Sequence, residues 1–418
     1  MTIRIFAPSK LSATIKLPAS KSISNRALII HALSGGNMMP DNLSECDDTD
    51  VVVHALEKMP HTIDIKAAGT AMRFLTAYLS VTPGDHVITG TERMKHRPIG
   101  ILVDALRTLG ADVNYVEREG YPPLHIGGRT LAGGRICIPG NISSQYVSAL
   151  LLIGPMLRDG LSLQLTGSII SRPYIDLTLW LMREFGADAD WSSGNTITVK
   201  PQPYGQRRFL IENDWSAASY WYEMVALYGQ ENAKVRLGGL MDASKQGDSI
   251  VKHIFSLLGV KTFFGDQQEG KPTLVTLTPR IGSVSTLDFD FNNSPDLAQT
   301  AVVACCALDI PFHFKGLSSL KIKETDRIEA LKHELRKVGY VVRSANDSEL
   351  IWDGTKCEPS MEPIDTYEDH RMAMAFAPLA IKYPGMLINN PEVVTKSYPT
   401  FWDDLRSAGF TIETVCQD

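Results

Sequence analysis

The chain contains no CxxC pair and no cysteine with histidines at zinc-ligand spacing, so neither a redox pair nor a structural metal site is indicated. Its six cysteines, Cys46, Cys137, Cys305, Cys306, Cys357 and Cys416, read as free thiols. Cys305 and Cys306 stand in the apolar run AVVACCAL, where cysteine behaves as a small core residue. Positive charge is also in short supply. A net charge of −6 excludes a general nucleic-acid surface, so any anionic ligand must be met by local clusters of Lys and Arg. No segment approaches the ~20 apolar residues that cross a bilayer, and the opening MTIRIFAPSKLSATIKL lacks an apolar stretch behind a basic patch. A cytoplasmic location without membrane association is therefore expected. No GxGxxG turn follows the first strand pattern, which argues against a doubly wound dinucleotide-binding sheet.

What is present is ordinary globular material. With 44% hydrophobic and 21% charged residues the chain can bury a core, and 418 residues suggest two or more domains. One phrase recurs: an amphipathic helix ends at a glycine and passes directly into a strand, the glycine supplying a left-handed cap. It occurs in LVDALRTLGADVNY at Gly110, LTLWLMREFGADADW at Gly186, IVKHIFSLLGVKTFF at Gly259, IEALKHELRKVGYVV at Gly339 and TFWDDLRSAGFTIE at Gly409. An abbreviated copy, VVVHALEKMPHTIDI, has Pro60 in place of the glycine stop and a short strand after it. Between the copies run helices apolar nearly all round, each followed by a tight turn and an alternating strand, as in AMRFLTAYLSVTPGDHVITG and YVSALLLIGPMLRDGLSLQLTG. The pattern predicts an α/β fold of six repeats, three to each of two domains, with one repeat shortened.

The regular positions are consumed by these repeats, so chemistry belongs at their junctions. LPASKSISNRAL places Lys21, Ser22, Ser24 and Arg26 at a helix entry, where backbone N–H groups and cationic side chains favour a phosphate or carboxylate. AAGTAMRF offers Gly69, which lets backbone approach a ligand closely. Arg93, Lys95, His96 and Arg97 precede another helix and oppose its dipole, which points to anion binding. Ser143, Ser144 and Gln145 open a further helix, and SRPYID and NNSPDLAQT contribute Ser171, Tyr174 and Asp296. Finally KIKETDRIEAL, EDHRMAMAFA and VVTKSYPTFW bring Lys323, Glu324, Arg327, Asp369, His370, Arg371 and Lys396 to the mouths of apolar helices. The cations exceed what one small anion needs. Two anionic ligands, held between the two halves of the chain, are expected, with closure driven by their charge.

The phrases LPASKSISNRAL, AGTAMR, RMKHRPIG, SSQ, SRPYID, KETDR, DHRMAM and the lysine of VVTKSYP resemble the 5-enolpyruvylshikimate-3-phosphate synthase family, in order and across almost the whole chain. The resemblance implies a two-domain inside-out α/β barrel of βαβαββ units, with domains at 21–212 and at 1–20 plus 213–418. It implies transfer of the enolpyruvyl group of phosphoenolpyruvate to the 5-hydroxyl of shikimate 3-phosphate, without cofactor or metal, by a monomer. Shikimate 3-phosphate would be held by Lys21, Ser22, Arg26, Ser143, Ser144, Gln145, Ser171, Tyr174, Asp296, Ser319 and Lys323. Phosphoenolpyruvate would be held by Lys21, Gly69, Gln145, Arg97, Arg327, Arg371 and Lys396, with His370 and Asp369 in support. Ala19, Ala67 and Ser319 stand where the family commonly has Gly, Asn and Asn, and Phe74 where it often has Pro.

Such a transfer needs an acid to protonate the methylene carbon and a base to take the hydroxyl proton. Glu324 is the expected acid, Asp296 the expected base, and Lys21 the group that steadies charge as phosphate leaves. Glu324 must be protonated when it acts, yet Lys323 and Arg327 beside it in sequence favour its carboxylate. Two other readings stay open at this level. A sister transferase acting on UDP-N-acetylglucosamine would carry Lys-Asn where this chain has Lys21-Ser22, together with a cysteine near Arg97. A non-catalytic anion-binding scaffold would have no use for Glu324 beside Asp296.

Overall fold

The computed structural model describes residues 1–265 and 272–415, so Cys416 lies outside the described residues. The chain divides into two compact units, Met1–Pro18 with Glu212–Asp418 and Ala19–Ile211. Each has its own hydrophobic core.

In the unit Ala19–Ile211 two four-stranded sheets repeat one topology. The first runs Thr62–Asp64, Gly84–Thr89, Leu124–Gly128, Asp112–Tyr115 in space; the second runs Gly134–Pro139, Leu161–Thr166, Thr196–Val199, Ala189–Ser193. In each, the first two strands pair in parallel across a buried helix, Gly69–Val81 or Ser144–Ile153. A second helix, Gly100–Thr108 or Arg172–Glu184, then leads into an antiparallel hairpin. This is the βαβαββ unit. The two helices before the first sheet, Lys21–Leu33 and Asp47–Lys58, are accompanied by the single bridge Asp41 to Leu210 where a sheet would stand. The shortened repeat has its two helices and, among the described residues, no hairpin.

The other unit carries two sheets of the same topology and one of three strands. Ser12–Lys16 pairs in parallel with Lys234–Leu240, and Leu287–Asp290 with Phe312–Lys315. Thr2–Phe6 is the middle strand of the third sheet, flanked by Met386–Asn389 and Thr411–Val415. The buried helices here are Trp215–Tyr228, Ala298–Ala307 and His370–Phe376. Every residue of Ala298–Ala307 is buried, Cys305 and Cys306 included, as a largely apolar helix must be, and so are its two polar residues, Gln299 and Thr300. Burial pushes both thiols up, which suits packing rather than nucleophilic chemistry.

The glycine punctuation has a simple backbone cause. Gly110, Gly186, Gly259, Gly339 and Gly409 have φ of 97°, 85°, 91°, 97° and 95°, a region that a Cβ disfavours. After Gly339 the regular strand starts only at Arg343, with Tyr340 joined by a single bridge to Lys356. In the abbreviated copy the left-handed residue is Met59, at φ 41°.

Candidate active site

In the unit that ends the chain, three carboxylates and four cations interlock. Arg327 opens the helix Arg327–Lys337, which Asp326 caps by accepting from the N–H groups of Ile328 and Glu329. Its guanidinium is buried and has three acidic partners. Nε donates to Asp369 Oδ2 at 2.6 Å, Nη1 to Asp296 Oδ1 at 3.1 Å, and Nη2 to Glu324 Oε2 at 3.0 Å. Asp369 has a second duty, because Oδ1 accepts the Arg371 N–H at 2.9 Å and so caps the helix that presents Arg371. Arg371 Nη2 returns to Asp296 Oδ2 at 3.1 Å, while Nη1 donates to the Tyr220 hydroxyl at 3.4 Å. Lys323 Nζ stands 3.6 Å from Asp296 Oδ1, and Lys396 Nζ donates to Glu324 Oε1 at 2.8 Å. His370 is buried beside Asp369, with Nδ1 3.7 Å from Oδ1.

These contacts set the electrostatics. Burial pushes the Asp296 carboxyl up, but Arg371, Lys323 and Arg327 together outweigh it and hold it well below the usual carboxylate range. Burial pushes the Lys323 ammonium down, and the attraction of Asp296 does not fully restore it. For Arg327 burial acts downward, yet Asp369, Glu324 and Asp296 raise its proton affinity above the ordinary value. Four cations gathered around three carboxylates offer donors that an anionic ligand can share. Ser319 lies half-buried in the 3-10 turn Ser318–Ile322, just before Lys323.

In the unit Ala19–Ile211, Lys21 opens the helix Lys21–Leu33 and its Nζ pairs with Asp48 Oδ2 at 3.0 Å. Arg26 is buried, and its donors meet protein acceptors: Thr178 Oγ1 at 2.7 Å, the Ser22 carbonyl at 2.8 Å, Ser148 Oγ at 3.2 Å and the Tyr174 carbonyl at 3.4 Å. Phe74 lies under that guanidinium at 5.3 Å, and burial pushes Arg26 down to about 10. So Arg26, Ser22 and Tyr174 are brought together, with the arginine as their brace.

The Arg97 guanidinium packs on Gly69 so closely that an added Cβ would come within 2.6 Å of Nη1. Its Nε is buried with no hydrogen-bond partner among the described residues. The buried Arg73 guanidinium bridges the Gly69 carbonyl at 3.0 Å and the Pro98 carbonyl at 3.1 Å, fixing the loop that carries Arg97. Of the other cations in RMKHR, Lys95 is paired to Glu92 and Glu117, and Arg93 and His96 are exposed. The cluster as a whole is thus a solvated segment from which Arg97 alone meets Gly69. Ser143 caps the helix Ser144–Ile153 through the Gln145 N–H, and the Gln145 side chain donates to Thr70 Oγ1 at 3.1 Å. Ser171 sits at φ 53°, immediately before the helix that carries Tyr174.

Sequence reasoning did not single out Asp48, Asp248, Tyr220 or Glu223. Asp48 hides in the acidic first turn of Asp47–Lys58, where a carboxylate is ordinary dipole complementation. Only the fold shows that it meets Lys21.

The chain matches the model of the EPSP synthase (3-phosphoshikimate 1-carboxyvinyltransferase) family over residues 5–64 and 57–405. It is similar to the 3-phosphoshikimate 1-carboxyvinyltransferase of Bacteroides fragilis, with 59% identity over 414 residues, 99% of each chain. The enzyme of that name from Photobacterium profundum is 36% identical over 425 residues, 95% of this chain and 96% of its own. Among solved structures, an EPSP synthase from Acinetobacter baumannii superposes with a TM-score of 0.78 at 22% identity, covering 99% of this chain and all of that one, a likeness of fold.

Proposed function

The chain belongs to the EPSP synthase family, and on that premise we propose that it transfers the 1-carboxyvinyl group of phosphoenolpyruvate to the 5-hydroxyl of shikimate 3-phosphate, releasing phosphate. The observation that carries the reading is the interlocked set of Asp296, Glu324 and Asp369 with Lys323, Arg327, Arg371 and Lys396. In this reading Lys21, Ser22, Arg26, Ser143, Ser144, Gln145, Ser171, Tyr174, Asp296, Ser319 and Lys323 serve shikimate 3-phosphate. Arg97, Arg327, Arg371 and Lys396, with Lys21, Gly69 and Gln145, serve phosphoenolpyruvate. Arg26 then acts chiefly by bracing Ser22 and Tyr174, since its donors already have protein acceptors. The enzyme is taken as a cytoplasmic monomer without a nucleic-acid or membrane partner. Among the described residues no helix is long and apolar enough to cross a membrane.

Glu324 is the acid and Asp296 the base. Arg327 and Lys396 pair with Glu324, and Arg371, Lys323 and Arg327 together hold Asp296 as a carboxylate. Substrate carboxylate and phosphate groups compete for those same cations. As they bind, both acidic side chains lose hydrogen bonds that favour the charged form, and their proton affinity rises. Glu324 can then protonate the methylene carbon while Asp296 takes the hydroxyl proton, giving a tetrahedral adduct. Loss of phosphate, with the methyl carbon returning its proton to Glu324 and the proton on Asp296 leaving with the phosphate, completes the transfer. Lys21 steadies the leaving phosphate.

Glu324→Gln keeps the shape and removes the transferable proton. Its kcat should fall by a factor of roughly 10²–10⁴, the usual range for a general acid, while shikimate 3-phosphate binding stays within about threefold. Equal losses in kcat and in binding would remove Glu324 from the role of acid.

A further inference from the structure

One buried carboxylate next to this cluster has no part in the chemistry above. Asp248 belongs to the turn Gly247–Ile250 and is 3% exposed. The segment before it is clamped to the start of the helix Trp215–Tyr228. Gln246 Nε2 donates to Glu212 Oε2 at 2.9 Å and to the Asn213 carbonyl at 2.8 Å, and Gln246 Oε1 accepts the Trp215 N–H at 3.2 Å. Glu212 is itself fixed by the Trp215 indole, the Met241 N–H and the Ser244 hydroxyl. From that frame Asp248 Oδ2 accepts a short hydrogen bond from the Ser216 hydroxyl. The Ser216 N–H donates to Asp214, the helix cap, at 2.7 Å. One turn on, Ser219 Oγ meets Thr300 Oγ1 at 3.2 Å, which ties this helix to the one that follows Asp296.

The same helix holds Arg371 one turn beyond Ser216, where the Tyr220 hydroxyl accepts from Nη1 at 3.4 Å, and Asp296, Arg371 and Asp214 are among the charged groups that act on Asp248. Asp248 and Arg371 are thus docked on one helix a turn apart, and Arg371 in turn holds Asp296, the proposed base.

We propose that Asp248 is a positioning residue for the transfer, standing on Ser216 as a second negative charge beside Asp296 and Arg371. The inference rests on the reading of Asp296 as base and says how that base keeps its strength. Three cations weaken Asp296 as a proton acceptor. The charge of Asp248 opposes them, and it opposes them most when substrate has drawn Arg371 away. Burial and the charge of Asp296 push Asp248 up, Arg371 and Ser216 pull it down, and it stands at about 6. Its charge is accordingly present above that pH and lost below it. Transfer should be faster with the charge than without.

The test is the ratio of wild-type kcat to variant kcat, followed by phosphate release from pH 5 to 9 with both substrates saturating, so that ionisation of the substrates cancels. For Asp248→Asn the ratio should climb from near one below pH 5.5 to roughly ten above pH 7, the weight of about one pKa unit at Asp296. Ser216→Ala keeps the carboxylate but removes its donor, so its ratio should rise only in a window just above pH 6 and return to one by pH 8. A ratio independent of pH for Asp248→Asn means a merely structural role and overturns the inference. Should that variant fail to fold, a flat ratio for Ser216→Ala overturns it alone. Wild type that releases no phosphate from these substrates would bring down the functional reading itself, a separate outcome.

Discussion

Arg327 illustrates how much of this site is decided by single side chains. One guanidinium, 1% exposed, is shared by Asp369, Asp296 and Glu324, so removing any one acid leaves charge buried without its full set of partners. That the acids and bases of KETDR and DHRMAM belong together was legible in the sequence as charge at the mouths of apolar helices. Their pairing was not. Lys396, 72 residues further on, holds Glu324 at 2.8 Å, a contact that no local spacing contains. Glu223 was hidden for the opposite reason: it lies in ASYWYEMVALY, where an apolar run conceals one carboxyl. Both its oxygens are buried without a hydrogen-bond partner among the described residues, and burial pushes it well above the ordinary range. With the folded pKa above the unfolded value of 4.5, suppressed ionisation costs nothing below pH 4 and destabilises progressively as pH rises toward the folded pKa. Glu223→Met should therefore stabilise the protein, by a margin that grows by about 1 kcal/mol per pH unit between pH 5 and 7 in urea unfolding. A gain equal at both pH values would show that packing rather than ionisation is responsible.

At the scale of elements, the helix–glycine–strand phrase was readable because a left-handed cap restricts residue choice more than any other local feature here. The abbreviated copy shows the same geometry without the glycine. Met59 occupies the left-handed region at φ 41°, where a side chain costs roughly 1 kcal/mol. Met59→Gly should raise stability by up to about 1 kcal/mol, offset in part by the freedom glycine gains in the unfolded chain. Gly339→Ala should lower it by about 1–2 kcal/mol, since φ is 97° and the new Cβ would stand 3.2 Å from the Cys357 carbonyl. Thermal unfolding of the two variants should move in opposite directions; a shift of the same sign would separate cap conformation from stability at these positions. The missing hairpin of the first repeat was legible only as a short stretch of chain. Which strands survive depends on sheet pairing, as in the lone bridge from Asp41 to Leu210, a partner 169 residues away.

For the molecule as a whole, the first strand is the informative one. Thr2–Phe6 pairs with Met386–Asn389 on one side and Thr411–Val415 on the other. The alternation of TIRIF suggests a strand, but nothing within it names partners almost 400 residues distant. Deleting residues 1–6 removes the middle of a three-stranded sheet and leaves two edges unpaired. The unit containing Glu212–Asp418 should lose its cooperative unfolding, while Ala19–Ile211, with its own core, keeps a separate transition in calorimetry. Loss of both transitions together would show the two units to be one cooperative body.

All of the proposed chemistry supposes that the cations around Asp296 and Glu324 are there to receive a phosphorylated sugar acid and an enol phosphate. Phosphate release by the purified protein, with phosphoenolpyruvate and either shikimate 3-phosphate or UDP-N-acetylglucosamine as acceptor, addresses this directly. One phosphate should appear for each shikimate 3-phosphate consumed, and none with the nucleotide sugar. Release with UDP-N-acetylglucosamine alone, or with neither acceptor, would contradict the account.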